Sequence, residues 1–118
     1  MTIDKDVVLT QHILDAITSI HVFIQDIDLV HFVENDLVSS AVMKKFEIIG
    51  EASNRLSDEF KAKHAKIPWS KAIGMRNILI HDYIGADLEG VWNTIHEDLP
   101  QLKSELQSFT GATPDMLS

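Results

Sequence analysis

A helical period constrains this chain more than any other feature. Leu9, Ile13, Ile17, Ile20, Ile24 and Ile27 recur at steps of three and four residues, which lines them along one side of an α-helix. Gln11, Asp15, Thr18, Ser19, Gln25 and Asp26 fall mostly on the other side. The pattern predicts a helix from about Asp4 to Asp26, capped by Thr2 or Asp4. Val7, Leu14, Val22 and Phe23 widen its apolar surface beyond one stripe, leaving room for a second subunit as well as the chain's own core. The period returns in Val38, Val42, Phe46, Ile49, Ala52 and Leu56, predicting a second long helix over about Asp36 to Ser57. Its outer stripe is Lys44, Glu47, Glu51, Asn54, Arg55 and Asp58. Between these helices, Asp28 to Asn35 reads as a turn or short helical piece.

Pro68 suits a first helical position, where its missing N–H costs nothing. It opens a third predicted helix, to about His81, in which Gly74 lowers helix preference and leaves space for close packing. Asp87 then caps a last helix with Leu88, Val91, Trp92, Ile95, Leu99, Leu102, Leu106 and Phe109 facing inward. Pro100 should kink that helix, because it removes a bond to the carbonyl of His96. No extended alternation typical of strands is present. The expected fold is all-α, an antiparallel bundle of four to five helices with the last kinked at Pro100. Residues 1–110 form the expected domain and 111–118 a frayed tail.

Composition removes several classes. The 118 residues contain no cysteine, so disulfide scaffolds and cysteine-ligated metal sites are excluded. No uncharged apolar run approaches the ~18 residues of a membrane helix. The first residues lack the basic-then-apolar order of a signal peptide, so the expectation is a soluble cytoplasmic protein. The net charge of −8 argues at first sight against a nucleic-acid binder. Its distribution tells more. Residues 1–43 carry seven acids and one base, and residues 77–118 again seven acids and one base. Residues 44–76 carry eight bases and four acids. The middle third is a basic island, either a solvated helical face or a local anion site.

The six histidines show no H-E-x-x-H spacing, and no metal or other cofactor is expected. There is no phosphate-binding glycine loop. The stretch Arg76-Asn77-Ile78-Leu79-Ile80-His81-Asp82-Tyr83 stands apart. Arginine supplies a permanent planar cation for phosphate, and histidine a proton donor and acceptor near neutral pH. Asparagine orients a neighbour, and tyrosine adds a ring and a hydroxyl. These groups suffice for cleaving an RNA phosphodiester without a metal, with histidine taking the 2′-OH proton and arginine holding the phosphate. The plain alternative is an arginine near a helix and a histidine suited to a helix C-terminus. On an ideal α-helix, positions 76 and 81 point about 140° apart. They converge only if the helix loosens or two chains share the site. Glu51, on the outer stripe, has two candidate roles: positioning Arg76, or pairing with Lys44 or Arg55.

Arg76-Asn77-(three residues)-His81-Asp82-Tyr83 resembles the R-x4-H-x-Y signature of the HepT-like proteins of the HEPN superfamily. Glu47-Ile48-Ile49-Gly50-Glu51-Ala52, Ile67-Pro68-Trp69, Gly74-Met75-Arg76-Asn77, Asp87, Val91-Trp92 and Asp98-Leu99-Pro100 are also similar to family segments, in the same order. The resemblance implies a HEPN-like helical homodimer whose paired motifs line a cleft. It implies a metal-independent ribonuclease toxin of a toxin–antitoxin module, acting on RNA. Arg76 and His81 map to the catalytic pair, with Asn77 in the polar position after the arginine. Asp82 is usual for the family and either orients His81 or lies outside the cleft. The implied partner is an MntA-like minimal nucleotidyltransferase that neutralises the toxin by transferring AMP to the tyrosine, here Tyr83. The rival expectation is a non-catalytic helical platform for that nucleotidyltransferase.

Overall fold

The structure, a computed structural model, describes residues 4–77 and 87–110. They form seven α-helices and one 3-10 turn: α1 (Lys5–Phe23), α2 (Leu29–Glu34), α3 (Asp36–Arg55), α4 (Asp58–Lys63), α5 (Trp69–Gly74), the turn Met75–Asn77, α6 (Leu88–Glu97) and α7 (Leu99–Thr110). No strand occurs among the described residues. The all-α expectation holds, with more segments than the four or five anticipated because α2 and α4 are separate short helices. Each has its own cap. Asp28 accepts a hydrogen bond from the His31 N–H, and Ser57 from the Phe60 N–H.

The long helices α1 and α3 pack along each other, and they run antiparallel. The start of α1 meets the end of α3: the Asp6 carboxylate accepts from the Ser57 N–H at 2.9 Å and the Ser57 hydroxyl at 2.7 Å. Their predicted stripes are the core. Ile13, Ile17 and Ile20 of α1 and Val42, Phe46 and Ile49 of α3 are fully buried. Helix α7 closes the other side of α1 with Leu99, Leu102 and Leu106. Each such side chain contributes about 1.5–3 kcal/mol of burial. Asp4 caps α1 and its helix ends at Phe23, three residues short of the predicted end. Asp26 adopts a left-handed backbone, φ 62°, which Asp tolerates better than most residues. Of the side chains that widened the α1 face, Leu14 is buried and Phe23 packs against the core, while Val7 and Val22 are exposed.

The helix expected over Pro68–His81 changes type within its described part, and residues 78–81 lie outside the described residues. Pro68 is the cap residue itself, and α5 ends at Gly74. The backbone then tightens into the 3-10 turn that carries Arg76. The Trp69 indole N–H donates to the Lys61 and His64 carbonyls, both at 3.1 Å. This clamp ties the entry of α5 to the end of α4. The interruption expected near Pro100 is a break: α6 ends at Glu97, Asp98 forms a turn and α7 restarts at Leu99. Among the described residues, no helix is long and apolar enough to cross a membrane. The proposed tail at 111–118 lies outside the described residues.

Candidate active site

Arg76 is positioned by backbone contact. Helix α3 presents Gly50 to the 3-10 turn. A Cβ built on Gly50 would lie 2.7 Å from the Arg76 Cβ and 2.9 Å from its Cα, and closer still to its backbone N. Only glycine permits this approach. Gly50 is buried in mid-helix, where glycine costs about 1 kcal/mol relative to alanine. The sequence therefore accepts a propensity penalty to bring the Arg76 backbone onto α3. Gly74, to which close packing was assigned from the sequence, has nothing within 4 Å of its would-be Cβ. The close approach belongs to Gly50 instead. The available signal was a lone glycine inside a strongly periodic helix.

The next residue of α3 takes the side chain. Arg76 Nη1 donates to Glu51 Oε2 at 3.4 Å. Of the two roles open to Glu51, the geometry gives the Arg76 partnership, while Lys44 pairs with Glu47 at 3.1 Å. The Arg76 side chain is 35% exposed and that of Glu51 55% exposed. The contact is long and uses one nitrogen. Among the described residues the guanidinium has no other hydrogen-bond partner, and arginine offers phosphate a planar, two-pronged geometry. Asn77 closes the 3-10 turn, half-buried beside Arg76. The structure thus brings Arg76, Asn77 and Glu51 together. His81, Asp82 and Tyr83 lie outside the described residues. The backbone at Arg76 itself is 3-10 rather than α.

The resolved pKa shifts sit at helix ends. Burial pushes the Asp6 carboxyl up, but its hydrogen bonds from Ser57 and the charges of Lys5 and Lys61 outweigh this and hold it below 3.8. The hydrogen bonds from His31, first its backbone N–H and then its ring, lower Asp28. The hydrogen bond to Asp28 and that carboxylate's charge raise His31 above 6.5. Among the described residues, no three His, Asp or Glu side chains stand close enough to hold a metal ion.

Comparison with known proteins covers this same architecture. A family model described as ribonuclease HepT-like matches residues 13–109, a span that contains Gly50, Glu51 and the whole Arg76–Tyr83 stretch. A protein of Methanocaldococcus jannaschii named "Putative RNase" is 39% identical over 95 residues, covering 80% of this chain and 87% of that protein. A "Putative RNase" of Caldanaerobacter subterraneus is 35% identical over 99 residues, covering 84% and 88%. A "Probable ribonuclease HepT" of Thermococcus cleftensis is 38% identical over 99 residues, covering 84% and 90%. No solved structure matches the chain. With a model spanning most of its length and relatives of this identity matched over most of theirs, the chain belongs to the HepT-like ribonuclease family.

Proposed function

We propose that the protein is a metal-independent endoribonuclease, the toxin of a HepT/MntA-type toxin–antitoxin module. The observation that carries this reading is Arg76: the first residue of the R-x4-H-x-Y motif is pinned by Gly50 and turned toward the surface by Glu51, in a chain of the HepT-like ribonuclease family. In this reading Arg76 binds the scissile phosphate and stabilises the charge that builds on it. His81 removes the ribose 2′-OH proton as the 2′-oxygen attacks phosphorus. The P–O5′ bond breaks, the leaving oxygen takes up a proton, and the products are a 2′,3′-cyclic phosphate and a 5′-hydroxyl. A symmetric homodimer supplies two imidazoles at one cleft, one to accept the proton and one to donate it. Asn77 supports the arginine, and Asp82 orients His81 or stands outside the cleft.

Control follows from the same chemistry. An MntA-like nucleotidyltransferase transfers AMP from ATP to the Tyr83 oxygen with release of pyrophosphate, adding a phosphodiester charge and an adenosine to the motif that begins at Arg76. The added group blocks RNA by occupancy and repulsion.

The test uses the purified full-length chain and single-stranded RNA in EDTA. The reading expects cleavage with 2′,3′-cyclic phosphate ends, abolished once the cognate nucleotidyltransferase and ATP have modified Tyr83. No cleavage, with Tyr83 still accepting AMP, would instead identify a non-catalytic platform.

A further inference from the structure

The basic island has a structural counterpart that the motif does not use. Along the seam between α1 and α3 run two adjoining clefts of about 180 and 280 Å³ that share His12 and Ile48. The first is bordered by Glu51 and Arg55, the second by Lys45 and Asp15. On α3, Lys45, Ile48, Ala52 and Arg55 follow one face at steps of three and four residues. Lys45 and Arg55 therefore stand about 15 Å apart at 1.5 Å per residue. That is the length of about four stacked nucleotides at ~3.4 Å each.

The charge balance of this groove favours an anion. Two of its three carboxylates are ion-paired, Glu47 with Lys44 and Glu51 with Arg76, while Asp15 accepts from the Gln11 amide at 2.9 Å and keeps its charge; the unpaired Lys45 and Arg55 then outnumber it two to one. Lys45 and Arg55 form no ion pair among the described residues. His12 is exposed on the opposite wall, with a ring N–H available between the two cations. The groove leads to the candidate site, because Glu51 both borders it and holds Arg76. Its floor of Leu9, Ala16, Ile48 and Ala52 is apolar, a surface against which a ribose or base edge can lie.

We propose that the α1/α3 groove is the track of the RNA strand outside the scissile phosphate, with Lys45, Arg55 and His12 holding its backbone on the way to Arg76. This rests on the ribonuclease reading above and adds a binding site to it. Contacts of this kind position the strand without reading sequence.

The test measures binding of a labelled single-stranded RNA to the full-length chain carrying His81→Ala, across a salt series. The double variant Lys45→Ala/Arg55→Ala in that background should weaken binding about tenfold. The slope of log affinity against log salt should fall by about 1.4, at ~0.7 per lost phosphate contact. His12→Ala should weaken binding less than the double variant does. Unchanged affinity and slope in the double variant would overturn the proposal. So would a change in oligomeric state with affinity per dimer retained, which would assign the seam to subunit contact. The same double substitution in the active chain separates the two readings. RNA cleavage at the unsubstituted rate would sink the groove and leave the ribonuclease standing. An unsubstituted chain that neither binds nor cleaves RNA would remove the ribonuclease reading, and the groove with it.

Discussion

At the residue scale the account turns on Gly50. Two effects oppose each other at this position. Alanine would gain about 1 kcal/mol of helix propensity. Its methyl group would also collide with three atoms of Arg76, two of them backbone, and backbone cannot swing aside as a side-chain tip can. Overpacking of this kind costs about 1–3 kcal/mol, so the collision outweighs the propensity gain. Gly50→Ala is expected to lower stability by about 1 kcal/mol in urea denaturation. Its RNA cleavage should fall at least tenfold under conditions where it remains folded, because the 3-10 turn must shift and carries Arg76 with it. Equal stability and equal rate would show that the close approach does not position the arginine. The sequence makes Arg76 conspicuous through its spacing to His81, and Glu51 through its place on the outer stripe. It does not make Gly50 conspicuous as the cradle, because a contact between residues 26 positions apart leaves no periodic signature. For the same reason the close packing expected at Gly74 proved to lie elsewhere.

At the element scale the long helices were legible and the junctions were not. The stripes of α1 and α3 are set by three-and-four spacing, a local property, and the residues so marked are buried except Ile27 and Val38, which are partly so. The junctions depend on partners far along the chain. The Asp6–Ser57 tie fixes how the start of α1 meets the end of α3, and nothing in either local sequence announces it. This tie carries a pH dependence whose sign is fixed. Asp6 has its folded pKa held below its ordinary value. Its contribution is present at neutral pH and is lost as pH falls through that lowered value. Asp6→Ala is expected to lower stability at pH 7 by about 1–2 kcal/mol, through two lost hydrogen bonds. The difference from the unsubstituted chain should shrink below about pH 4, as read by thermal melts between pH 7 and 2.5. A difference independent of pH would contradict the assignment. The type change at α5 belongs to the same scale. Periodicity predicts an α-helix through Arg76, whereas the chain packed on Gly50 there is a 3-10 turn.

At the scale of the whole molecule, charge is arranged rather than absent. A net charge of −8 suppresses loose association with nucleic acid. The basic third of the sequence is gathered on α3, α4, α5 and the 3-10 turn, where Arg76 sits. A strand binding there meets local cations within a Debye length, whatever the total. A symmetric dimer would double that surface around one cleft, and the acidic flanks would remain for a basic protein partner. Everything in this picture depends on the motif being chemical rather than structural. The most direct measurement compares RNA cleavage in EDTA by the full-length chain and by His81→Ala, with melting temperature and oligomeric state measured on both. The account predicts that His81→Ala loses cleavage, and the growth arrest that depends on it, while remaining a folded dimer. Full cleavage by a folded His81→Ala protein would contradict it.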